Sequence, residues 1–315
     1  MKQVEIMKQD DIDKRIDKLI AQSEKEIEKL FSNRLKVIKA LIEDMFEKYE
    51  GSEPHITWTN FNKYNRLNKE LKRISEMMND DYKIVAKTIK QSQQNAYIEK
   101  YMMSLFLYEL AIQSDMQVKV PSAEVIQKAI EQPIEFIKLV PTLQKQRNQV
   151  LEKIRMHITQ GIMSGEGYSK IAKALRDDIG MSIAQSKRVA RTEAGRAMSI
   201  AGQDSAMKAK ENGIEMTKMW NATKDTRTRD THRHLDGQKK KLTETFKSSG
   251  CVGLSPKTFV GVSSAKENIN CRCKLMYLID DEVPEVMRVR NDDGSTSVVD
   301  FQTYEEWLKT KETGD

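Results

Sequence analysis

The side chains best suited to chemistry sit in two short stretches. Asp225-Thr226-Arg227-Thr228-Arg229-Asp230-Thr231-His232-Arg233-His234 holds two of the chain's four histidines, two residues apart. Asn270-Cys271-Arg272-Cys273 holds two of its three cysteines at the same spacing, the third being Cys251. Imidazole and thiolate are ordinary zinc ligands, so His232, His234, Cys271 and Cys273 form a chemically sound set for a structural zinc ion. The spacing argues the other way, because structural sites commonly place two to four residues between paired cysteines and three to five between paired histidines. On a strand, residues i and i+2 share a face, so a C-x-C pair there can still chelate. The competing expectation is no cofactor at all. The thiols then pack as small apolar groups and the histidines hydrogen-bond within a polar turn.

The same histidines lie near Asp225, Asp230 and Asp236. Such a group can hold a divalent cation and activate water, as in a metal-dependent nuclease or transferase. No further histidine or carboxylate cluster completes that reading. Lys224, Arg227, Arg229, Arg233, Lys239, Lys240 and Lys241 make a basic stretch, with seven Lys or Arg against three Asp over residues 224–241. It can touch the phosphates of duplex DNA, as a nonspecific DNA-binding protein does. It lacks the interleaved aromatics that stack on bases, and a solvated basic loop fits it equally. Arg191-Thr192-Glu193 lies in a helical stretch. Residues two apart do not face each other there, so capping or pairing with another helix is expected. A phosphate-binding glycine loop, a dinucleotide fingerprint and a serine nucleophile elbow are all missing from the sequence. The expectation is a chain that is not an enzyme.

Composition bounds the elements that must position these residues. The chain has 315 residues, 32% charged and 38% hydrophobic, with 6 prolines and 17 methionines. Long solvated helices suit that balance better than one large globule. The net charge of +6 is mild and permits contact with nucleic acid without requiring it. Residues 1–17 are charged throughout and lack the apolar run of a secretory signal. No segment has the roughly 20 apolar residues needed to span a bilayer. Synthesis and assembly in a cytoplasm are therefore expected, and an odd number of cysteines there argues against a disulfide framework.

Ile12, Ile16, Leu19, Ile27, Leu30, Ile38, Leu41 and Met45 recur at helical spacing. They predict one long helix over the first 50 residues, with a partner helix along the stripe and a route to self-association. Phe61, Tyr64, Leu67, Leu71, Ile74 and Met78 predict a second helix, and a third is expected from Asp81 to about Asp115. Ser122 is a candidate N-cap for a short helix ending near Glu131, and Thr142 for one carrying Leu143, Val150, Ile154, Ile158 and Ile162. A helix over 168–179 is expected to stop at Gly180, and Ser182 to open another that Asn212 and Gly213 end. Beyond Gly213 the pattern changes to short strands, at 215–223 and 271–279, with Val298-Val299 and a helix at 304–309 in the tail. The fold class is α+β, predominantly α: a long helical N-terminal region, then a small mixed module with short strands. The expected domains are a partner-binding helical region over 1–140, the module over 141–280, and a tail over 281–315.

Several fragments, in this order, resemble the phage Mu F-like minor head (head morphogenesis) proteins. They are Ala190-Arg191-Thr192-Glu193, then Lys218-Met219-Trp220 leading into the Asp225–His232 turn, Leu235-Asp236-Gly237, and Ile269-Asn270-Cys271-Arg272-Cys273. The resemblance covers roughly residues 140–280. It implies a non-catalytic minor capsid component, present in a few copies inside the phage head. It also implies association with portal or scaffolding protein during assembly and a link to packaging or ejection of double-stranded DNA. Some members carry a toxin domain after this module. The 35 residues that follow Asp280 are too few for one.

Overall fold

A computed structural model describes residues 9–50, 66–131, 139–164, 166, 168–223, 227–279, 287–290 and 296–299. Five helices lead: α1 (Gln9–Glu50), α2 (Arg66–Ile112), α3 (Ala123–Glu131), α4 (Leu139–Met163) and α5 (Tyr168–Glu211). Short elements follow: β1 (Thr217–Asn221), α6 (Asp230–Arg233), β2 (Lys239–Lys241), β3 (Phe246–Ser248), β4 (Cys251–Gly253), α7 (Ser264–Asn268), β5 (Lys274–Leu278), β6 (Met287–Arg290) and β7 (Thr296–Val299). The chain is α+β and mostly helical, as expected. None of the described helices is long and apolar enough to cross a membrane.

The chain divides into two compact units, each drawn from several segments. One comprises Met1–Ala21, Gln91–Ile137 and Arg191–Asp315, the other Gln22–Lys90 and Lys138–Ala190. The changes at 21/22, 90/91 and 190/191 fall inside α1, α2 and α5, where the helical pattern runs on without a break.

The second unit is helical. Ile27, Phe31 and Ile38 of α1, Ile74, Met78 and Tyr82 of α2, Val150, Ile154 and Ile158 of α4, and Ile171 and Leu175 of α5 form its core. The Arg34 guanidinium donates to both carboxylate oxygens of Asp81, at 2.6 and 3.0 Å. Asp81 was expected to begin a helix. It lies in the middle of α2 instead, held there by that cation.

The first unit packs Ile12 and Ile16 of α1, Met102 and Phe106 of α2, and Ala194 and Met198 of α5 with side chains of the strand region. Its sheet has the order β2-β1-β5, with both pairings antiparallel. β3 pairs with β4, and β6 with β7. The Gln9 side chain lies against the outer edge of β5. Its Nε2 donates to the Leu275 carbonyl at 2.7 Å, and its Oε1 accepts from the Tyr277 N–H at 3.4 Å.

Three helix ends depart from expectation. Gly180 lies inside α5 and does not stop it. Ser182 opens nothing: its hydroxyl donates to the Asp178 carbonyl one turn back, at 3.2 Å. Thr142 caps nothing, because α4 begins at Leu139 and Pro141 sits in its first turn, where a missing N–H costs no hydrogen bond. Ser122 does cap α3, its Oγ accepting from the Val125 N–H at 3.3 Å. The stop at Asn212 and Gly213 also holds. Gly213 has φ +85°, and the Ile214 N–H reaches back to the Ala209 carbonyl at 3.2 Å. The α1 stripe is covered within the chain: Ile12, Ile16, Ile27 and Ile38 are each buried in one of the two cores. Phe61, Tyr64 and the expected 304–309 helix lie outside the described residues.

Candidate metal centre

The site is built where β1 and β5 run side by side. Alternation along β1 turns Lys218 and Trp220 inward. Trp220 pairs with Leu275 across the sheet and is fully buried. Beyond β1 the chain must reverse. Gly237, at φ +76°, allows the return, and its N–H donates to the Trp220 carbonyl at 2.8 Å. Asp236 Oδ1 accepts from the Ala222 N–H at 2.8 Å, closing the turn from the other side. The single helical turn α6 within this excursion delivers His232 into the core.

His232 is 1% exposed and sits among Trp220 and Phe259, with ring centroids 5.5 and 6.0 Å away. Its Nε2 lies 2.8 Å from Oε2 of Glu267, on α7. Glu267 is itself fully buried, and the same oxygen accepts from Ser248 Oγ at 2.8 Å and Thr231 Oγ1 at 3.3 Å. Burial works to raise the Glu267 carboxyl, but hydrogen bonds from Ser248 and Ser249 and the adjacent His232 outweigh it and hold it below its ordinary value. A carboxylate only accepts, so Nε2 donates to it, and in the neutral imidazole Nδ1 presents a lone pair.

That lone pair faces both cysteines. Cys271 Sγ and Cys273 Sγ each lie 3.5 Å from Nδ1. Their spacing is explained by the chain just before β5. Asn270 takes φ +56°, a left-handed conformation that Asn tolerates, so Cys271 and Cys273 point inward with Arg272 between them. The Asn270 N–H is anchored on Thr192 Oγ1 of α5 at 3.0 Å. The preceding Ile269 carbonyl accepts from the Arg229 guanidinium at 2.6 Å. Lys257 is buried beside the thiols, its ammonium donating to the Cys273 carbonyl at 3.0 Å. It reaches there because Gly195 on α5 has no Cβ; one added would lie 2.7 Å from Lys257 Cε. A hydrogen bond from Cys273, helped by the Lys257 charge, holds the Cys271 thiol well below its ordinary value against its burial, while the same hydrogen bond and burial push Cys273 up.

Three of the four expected ligands therefore meet: His232, Cys271 and Cys273, with ligand atoms all within 4.8 Å of one another. His234 does not join them. It is exposed, and its Nδ1 lies 2.7 Å from the Asp230 carbonyl one turn back on its own helix. A helical turn has no i, i+2 face, so the two histidines point in different directions. The sequence reading missed Glu267, Lys257 and Thr192 as supporting residues. Lone Glu, Lys and Thr residues carry no spacing signal, although Thr192 lies in a stretch already singled out. Glu193 of that stretch accepts from Gln93 of α2 at 2.9 Å, an interhelical hydrogen bond, while its ion pair is with Arg196 one turn on in its own helix, at 2.9 Å.

Of the three Asp residues that a nuclease reading invokes, the two among the described residues do not join this site. Asp230 is exposed and paired with Arg233, and Asp236 is spent on the turn. Asp225 lies outside the described residues. Of the basic residues, Arg229 is turned inward onto Ile269 and Arg233 pairs with Asp230. Arg227 is exposed, and Lys239, Lys240 and Lys241 form the edge strand β2. Lys224 lies outside the described residues.

The signature of the family described as "Phage Mu protein F like protein" matches residues 152–276. The chain is 40% identical to the "Minor head protein GP7" of Bacillus phage SPP1 over 304 residues, covering 96% of this chain and 97% of that protein. It is 32% identical over 223 residues to the "NAD(+)--arginine ADP-ribosyltransferase EFV" of Enterococcus faecalis, covering 71% of this chain but 45% of that protein. No solved structure matches it significantly.

Proposed function

Because the chain belongs to the family of phage Mu F-like minor head proteins, we propose that it is a minor capsid component of a tailed phage that acts in head morphogenesis. In this reading it is made in the host cytoplasm and enters the head beside portal or scaffolding protein. It stays with the packaged double-stranded DNA and leaves with it. The observation that carries the reading is the end-to-end match to a minor head protein, which spans almost the whole of both chains. The fold is consistent with a structural part. His232, Cys271 and Cys273 are buried, and the turn and the loop that carry them are tied to neighbouring elements.

We read the chain as non-enzymatic. The transferase activity in the name of the Enterococcus faecalis relative is ascribed to that protein, more than half of which has no counterpart in the match. The exposed lysines of β2 support contact with DNA phosphates in the filled head.

Quantitative mass spectrometry of gradient-purified, nuclease-treated particles tests the proposal. A few copies of the chain are expected in DNA-filled heads, and fewer in heads that have released their DNA. Absence from both overturns the virion role. Equal amounts in both overturn ejection alone.

A further inference from the structure

We propose that His232, Cys271 and Cys273 bind one structural zinc ion, through His232 Nδ1 and two thiolates, with Glu267 fixing the imidazole from the far side. The inference rests on the geometry of these side chains and is independent of the virion role. Zinc bonds of about 2.3 Å to sulfur and 2.0–2.1 Å to nitrogen, at tetrahedral angles, put the nitrogen about 3.6 Å from each sulfur. The two observed separations are both 3.5 Å. Hydrogen bonding alone accounts less well for that symmetry, because Nδ1 has one lone pair and two sulfurs converge on it. A cation placed at their common focus satisfies all three atoms at once.

The surroundings match what a zinc histidine requires. Its other ring nitrogen donates to a buried carboxylate, the partner that sets tautomer and ring orientation in metal sites. Trp220 and Phe259 form a dry wall around the ring. All three ligands are at most 2% exposed, which suits an ion whose role is to hold the fold together. Both sulfurs bind as thiolates, any proton still carried leaving to solvent, and the two thiolate charges neutralise the dication. The fourth position falls to a small ligand such as water. The ion ties the α6 turn to the start of β5, residues some 40 positions apart in sequence.

Full-length protein, purified under reducing conditions and dialysed against metal-free buffer, should retain about one zinc per chain. Cobalt exchanged for zinc should show the visible absorption of a tetrahedral thiolate centre. Cys271→Ser and Cys273→Ser should each lose the metal. Because those variants can also fail to fold, two further ones are needed. Glu267→Gln should keep the site but weaken zinc binding about tenfold to a hundredfold, read by competition with a chromophoric chelator. His234→Ala should leave stoichiometry and affinity unchanged. A folded wild-type chain that takes up neither zinc nor cobalt overturns the proposal. So does metal retained after both cysteines are replaced, or loss of binding with His234→Ala alone.

Discussion

At the scale of the residue, the molecule keeps several charged groups out of water and provides each with partners. Lys218 is the clearest case. Its ammonium is fully buried and donates to the Leu242 carbonyl at 2.7 Å, the Leu254 carbonyl at 2.8 Å and Gln203 Oε1 at 3.3 Å. Three acceptors for three N–H donors locate the end of β1 against two loops and α5. Burial lowers its pKa from 10.5 to about 8. Below about 8 the group is charged in folded and unfolded chains alike, and the fold bears the whole cost of burying it. Between about 8 and 10.5 the unfolded chain binds a proton that the folded chain has released, so stability from this group rises with pH. The urea midpoint of the wild type should therefore climb, relative to that of Lys218→Met, as pH is raised from 8 to 10. A constant difference between the two would show that the amine titrates normally.

At the scale of the element, α5 carries opposite lessons in two glycines. At Gly180 an added Cβ meets nothing within 4 Å, and the residue lies inside a helix. Gly180→Ala should stabilise the chain by about 0.5–1 kcal/mol by restricting the unfolded state. At Gly195 the same methyl group meets the stem of Lys257, whose head is tied to Cys273. Gly195→Ala should cost about 1–3 kcal/mol. Chemical denaturation of both variants checks the pair, and equal effects would contradict the packing described. The same contrast shows what the sequence made legible. Helix existence and the strand at Trp220 followed from apolar periodicity. Gly180 and Asp81 were misread as ends, because a glycine or a charge inside a helix looks like a boundary until its tertiary surroundings are known. At the site, the cysteine pair was readable because alternation in an extended chain is local. His234 was misplaced because α6 is one helical turn rather than a strand. Glu267 was unreadable because its partnership with His232 exists only across 35 residues of folded chain.

At the scale of the whole molecule, each compact unit is assembled from distant parts of the sequence. Ile12, Ile16 and Ile20 belong to the same core as Trp220, Phe246 and Leu275. Deleting residues 1–21 should therefore destabilise the unit that contains the candidate metal centre, although the deletion touches none of its ligands. Faster hydrogen exchange in 214–279, with protection in 139–163 retained, is the expected result. Unchanged exchange in 214–279 would mean that those isoleucines contribute little to its stability.

The clasp between Gln9 and β5 sets a timetable for synthesis. Leu275 leaves the ribosome 266 positions after Gln9. At about 5–20 residues per second, that separation is a wait on the order of ten to fifty seconds. Until then the outer edge of β5 does not exist for the N-terminal turn to cover, and Ile12, Ile16 and Ile20 have nothing to bury against from the strand region. The unit drawn from Gln22–Lys90 and Lys138–Ala190 is fully synthesised before β5 is. The helical unit can therefore begin to fold while the unit that holds the candidate metal centre still waits for β5.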